Sequence, residues 1–243
     1  MGGFKDNVKK FLPYLEDVRR RLYRLTIVFI VVFVVGFFLT SFLIRHVVSV
    51  FDIPDVLIAT TSPFQFADVA MDVGFFIALM VTIPLAVYSI FSFASSAMTR
   101  HERFRFLLSV PVSVGLFVTG FSYGFFILYY SFGLLARLNE SLGIKNIWDI
   151  SSFLSQIFIT SSLLGIVFQF PLILTVIIRL GLMDVRVLRE KRRFAYFIVC
   201  ILVALLPPTD GLSLLAMALP LVFLYEATIL LNRHIKHHVW IRN

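Results

Sequence analysis

The sequence "RHERFRF" at 100–106 places one carboxylate, Glu102, among three arginines and a histidine, His101. On its own such a charge is explained by a place just ahead of a helix, where an acid relieves local repulsion and favours the helix N-terminus. Polar side chains inside apolar runs are the other candidates, because they are costly at membrane depth. Ser155, Ser162 and Gln169 recur every seven residues and so share one helix face, with Gly165 on the same side. That spacing fits a small-polar packing seam or one wall of a polar groove. Glu226 lies in the last apolar run, where pairing with Arg233 or a neighbouring helix would settle its charge. Asp210, in "LLPPTDGL", is placed to cap a following helix. The metalloprotease, serine-hydrolase and P-loop signatures are absent, so the residues offer no catalytic constellation. The tail histidines His234, His237 and His238 lack acid or Cys partners, and a metal site is not expected.

The elements that must position these residues are membrane helices. The 243 residues are 59% hydrophobic and only 15% charged, far from the balance of a soluble domain. Six apolar runs fall at about 22–44, 73–94, 107–130, 153–180, 194–206 and 214–231. Each reads as a helix, since lipid offers no partner to an open strand and no barrel-type alternation is present. The expected architecture is a single six-span all-α domain over 1–243. Nineteen of the 22 Lys and Arg fall on one side of these runs, leaving Arg45, Arg137 and Lys145 on the other. The positive-inside rule therefore puts both termini in the cytoplasm. It also accounts for the net charge of +8 without nucleic acid as a partner.

The fifth run has 13 residues and reaches only about 20 Å, against a hydrocarbon core of about 30 Å. The sixth is also short, and such a pair would thin the bilayer locally or carry Pro207 and Pro208 into it. Pro84, Pro111, Pro171 and Pro220 fall within runs two, three, four and six. Several kinked helices would make a concave wall. The single cysteine, Cys200, reads as a small hydrophobe.

Five segments in order resemble one family. They are "YLEDVRRRL" at 14–22, "IPLAVYSIFSF" followed by "RHER", "GIVFQFP" at 165–171, "LREKRRF" ahead of run five, and "LLPPTDGLSLLAMALPLVFLYE" at 205–226. The family is TatC, the multispanning core of the twin-arginine protein translocase. The resemblance covers about 12–233. It implies a receptor for twin-arginine signal peptides that works with single-span TatA- and TatB-type subunits and with further copies of itself. Folded cargo would cross the cell membrane on the proton-motive force, without cofactor or covalent chemistry.

The resemblance carries the loop glutamate onto Glu102 and the N-terminal acid onto Asp17, with Glu16 beside it. It carries the neighbouring arginines onto Arg19 and Arg21, and adds Phe93 and His101 to the same face. Paired guanidiniums make forked, charge-assisted bonds to carboxylates that lysine cannot reproduce. This chain departs from the family by having Asp17 for Glu, and Gln169 where many members carry an intramembrane Glu. It also has "SSAM" at 95–98 for the usual Pro-Gly/Ala-Leu. The alternative expectation is a small-molecule or ion transporter using Gln169, Ser162 and Glu226.

Overall fold

A computed structural model describes residues 2–51, 56–94, 109–179, 181–206 and 211–233. Within its helices, side chains at 2–15, 91, 93–94 and 109–110 are outside the description. The elements are α1 (Gly2–Val50), β1 (Val56–Ala59), α2 (Gln65–Ala94), α3 (Ser109–Ser141) and β2 (Asn146–Asp149). They continue with α4 (Ile150–Val167), α5 (Phe170–Arg179), α6 (Val185–Glu190), α7 (Arg192–Ala204) and α8 (Gly211–Asn232). Among the described residues, five helical stretches are long and apolar enough to cross a membrane: Glu16–Val50, Gln65–Ile90, Pro111–Ser141, Ile150–Arg179 and Gly211–Asn232. The protein is an all-helical polytopic membrane fold. Phe38, Phe42, Phe223 and Leu231 are exposed on its perimeter, as expected where lipid replaces water as the solvent.

Several boundaries differ from the sequence expectations for definable reasons. The first helix begins well ahead of residue 22, so the cationic segment at 16–24 is part of α1. Nothing in that segment after Pro13 breaks a helix. The fourth run is two helices, not one. Phe168 donates its N–H to Leu164 O at 2.9 Å and closes α4, while Gln169 turns tightly onto Ile166 O at 2.9 Å. Pro171, with no N–H to give, then stands in the first turn of α5, where none is needed. Of the four prolines expected within runs, Pro84 and Pro220 lie inside α2 and α8. The fifth run is indeed a 13-residue helix, α7. The sixth extends at both ends to the 22 residues of α8, about 33 Å long.

Two short parallel strands were not anticipated. Val56 pairs with Asn146 and Ala59 with Asp149, joining the segments that follow α1 and α3. At the same end, the side chains of Thr61 (2.8 Å) and Gln65 both donate to Asp149. Asp149 also caps α4 by accepting the Ser152 N–H at 2.9 Å. The Ser152 amide, followed by the Thr61 hydroxyl, lowers its carboxyl to about 2. Beneath this cap lies an aromatic core. Phe51 is buried and packs edge-on against Phe125, Phe153 and two further rings, and Trp148 leans on Phe132 and Phe153.

Close helix approach depends on missing side chains. A Cβ on Gly74 would meet Phe33 O at 2.9 Å, and one on Gly124 would meet Ser161 Cα at 2.8 Å. These two positions draw α2 onto α1 and α3 onto α4. The far half of the bundle has its own core of Leu164, Phe168, Val203, Met217 and Leu221 from α4, α7 and α8.

Candidate functional site

The acidic pair of the N-terminal segment sits on one side of α1, each acid held by the arginine one turn later. Arg20 Nη2 donates to Glu16 Oε1 at 2.8 Å, and Arg21 Nε to Asp17 Oδ2 at 2.9 Å. This i,i+4 order, acid first, is the favourable one on a helix. The two pairs differ in what else they touch. Arg21 also donates from Nη1 to Ser89 O at 3.0 Å, on the last turns of α2. Its side chain is 21% exposed, against 69% for Arg20. Asp17 is thereby fixed to the α1–α2 junction, while Glu16 is held by a solvated partner. Arg19 is exposed on the same turn. Phe93 lies in the last turn of α2, with its side chain outside the description. His101, Glu102 and Asp210 lie outside the described residues. Of the predicted recognition set, the structure brings together Asp17, Arg21 and the end of α2 that leads toward 95–108.

The intramembrane residues do something different. Gln169 is 1% exposed, at the break between α4 and α5. Both ends of its amide are used by one residue of α3: Ser113 Oγ donates to Oε1 at 2.6 Å, and Nε2 donates to Ser113 O at 2.9 Å. A buried amide bonded at both its oxygen and its nitrogen is what a packing lock requires. Ser162 is fully buried, and its hydroxyl has no hydrogen-bond partner. Ser155, one heptad earlier, donates to Asp72 on α2. Asp72 was missed in the sequence because the second apolar run was started at residue 73. The helix begins at Gln65, which places Asp72 two turns inside it. The spacing of Asp68 and Asp72, four apart before an apolar run, was the available signal.

Glu226 accepts the Tyr196 hydroxyl at 2.6 Å and pairs with Arg192 Nη2 at 2.9 Å. Its partner is therefore α7, not Arg233. Close by, the Tyr225 hydroxyl donates to Leu188 O at 2.8 Å, and Asn232 Nδ2 to Thr175 Oγ1 at 3.0 Å. These bonds fasten the short α7, and with it α5 and α6, to the end of α8. Among the described residues no cluster of His, Cys, Asp or Glu could hold a metal.

Comparison with known proteins fits this architecture. The family model described as "Sec-independent protein translocase protein (TatC)" matches residues 13–220. The chain is 29% identical over 237 residues to the Sec-independent protein translocase protein TatCy of Bacillus subtilis, covering 96% of this chain and 92% of that one. It is 27% identical over 239 residues to TatC of Escherichia coli, covering 94% and 90%. A solved structure titled as the twin arginine translocase receptor TatC in the detergent DDM superposes with a TM-score of 0.78 at 23% identity, over 89% of this chain and 98% of the other. A fourth apolar run broken at Gln169, a 13-residue α7 and a family-model match over 13–220 converge: the chain belongs to the TatC family of Sec-independent protein translocase proteins.

Proposed function

We propose that this chain is the receptor and multispanning core of a twin-arginine translocase, with six spans and both termini in the cytoplasm of the cell membrane. The observation that carries the reading is the Asp17–Arg21–Ser89 tie. It holds an exposed acidic turn beside the end of α2, from which the chain leads to Glu102. Glu102 lies eight positions beyond Ala94, a tether of at most about 29 Å. Two carboxylates, one on rigid α1 and one on the connection, offer forked acceptors to two guanidiniums of a signal peptide. Phe93, His101 and Arg19 border that face.

TatA- and TatB-type single-span subunits are the proposed partners, with further copies of this chain, in a membrane carrying a proton-motive force. The small-molecule transporter reading finds no support. Gln169 is buried with both ends of its amide bonded to Ser113, and Glu226 is tied to α7. The family is one of protein translocase components.

The test is photocrosslinking from position 102 to a twin-arginine signal peptide, with Glu102→Ala as the partner measurement. We expect Glu102→Ala to weaken peptide binding at least tenfold, the worth of a charge-assisted hydrogen bond. A Lys-Lys peptide should bind the wild type comparably weakly. Unchanged binding in both experiments rejects the receptor role.

A further inference from the structure

A lateral cavity of about 740 Å³ opens between α3 and the first half of α8. Its walls are Tyr123, Ile127, Tyr130 and Leu134 on α3, with Leu212 and Ala216 on α8. The α3 residues alternate at steps of four and three, so they form one continuous stripe. The stripe ends at Arg137, and Glu140 follows one turn later, both lining the same cavity. From Tyr123 to Arg137 the helix rises about 21 Å. Half of a bilayer with its headgroups measures roughly 20–22 Å.

Two charges at that end need a reason. Arg137 is one of only three cations on its side of the apolar runs, where the positive-inside rule makes cations scarce. Neither Arg137 nor Glu140 takes part in a salt bridge among the described residues, and both are exposed. A guanidinium and a carboxylate one turn apart, above an apolar slot one leaflet deep, match a headgroup with a phosphate and a primary ammonium. Tyr129 and Tyr130 line the same cavity about two turns deeper along α3. A helix, roughly 10–12 Å across, would rest on the rim of such a slot. Hydrocarbon chains can fill it.

We propose that this groove is a binding site for one aminophospholipid of the leaflet opposite the cation-rich end. Arg137 takes the phosphate, Glu140 the ammonium, and the acyl chains run down the α3 stripe to Tyr123. The site is independent of the signal-peptide face and depends only on the membrane fold.

The full chain, purified in mild detergent, is titrated with phosphatidylethanolamine, phosphatidylcholine and phosphatidylglycerol and read by native mass spectrometry. We expect one phosphatidylethanolamine to be retained in preference to the other two. Arg137→Gln should lower its occupancy affinity about tenfold. Gly133→Leu gives an independent block. Gly133 lines the cavity, and a Cβ there meets nothing within 4 Å, so the leucine fills the slot without disturbing the helix. Its expected result is loss of the adduct with thermal stability unchanged. Retention undiminished in Gly133→Leu overturns the proposal. So does a photocrosslinker at Leu134 that captures a polypeptide and no lipid in native membranes.

Discussion

Arg20 and Arg21 are adjacent, carry the same charge and each pair with an acid four residues earlier, yet they are not equivalent. Arg20 holds Glu16 in solvent, an arrangement worth about 0–1 kcal/mol. Arg21 holds Asp17 and at the same time a carbonyl of another helix. Arg21→Ala should therefore destabilise the protein by about 1–2 kcal/mol and weaken twin-arginine peptide binding about tenfold, because Asp17 loses its fixed position. Arg20→Ala should change stability by less than about 0.5 kcal/mol and leave peptide binding within about threefold. Thermal unfolding and peptide titration on the same preparations separate the two. Equal effects would show that the contact with Ser89 does not position the acid. Arg21 was legible as a candidate from "YLEDVRRRL", together with Arg19, whereas Arg20 was not singled out. The inequality of Arg20 and Arg21 was not legible, because it arises from a carbonyl 68 positions away in the chain.

At the scale of elements, the outer cap is the part that the sequence hid best. Four-residue strands carry too little pattern to be distinguished from loop, and here they pair only because α1 and α3 deliver both segments to one end. Asp149 closes that cap, and its carboxyl sits at about 2, below the ordinary 3.8, chiefly through the Ser152 amide. The unfolded chain therefore takes up the proton first. The cap's contribution is complete above about pH 4 and fades as pH falls toward about 2. Wild type should unfold at a higher temperature than Asp149→Asn at neutral pH, with the gap closing across that acid window. A gap that is constant with pH would mean that the carboxylate charge is not what stabilises the cap. The break between α4 and α5 was half legible. Pro171 announced an interruption, but not that it would fall two residues earlier, where Gln169 could reach Ser113.

For the whole molecule, polar ties between distant segments hold the helix ends to one another. Arg21 to Ser89 joins the start of α1 to the end of α2. Asp149 joins the starts of α2 and α4, and Glu226 joins the start of α7 to the second half of α8. The chain has one cysteine, Cys200, so Cys200→Ser provides a clean background for single-cysteine labelling. Cysteines placed at Gly2 and Arg233 should be shielded from a membrane-impermeant maleimide in intact cells, and one at Leu142 should react. Reaction at only one terminus would refute the even number of crossings. The 13-residue α7 is the helix on which that number depends. Its polar contacts at Arg192 and Tyr196 anchor one end to Glu226 on α8.

Composition and charge order determined the solvent and the helical character of the fold, and set the number and orientation of passes expected of it. Those properties depend on transfer of single side chains into lipid and on cations near each run, both of which are local in the chain. Motif order was enough to indicate the family. What each polar residue does was decided by tertiary structure. Gln169 became a lock because Ser113 stands opposite it, Glu226 a fastening because α7 folds back, and Asp17 a fixed acid because α2 ends beside it. A buried polar group takes its role from the partner that satisfies it, and in this chain those partners are 34 to 68 residues away.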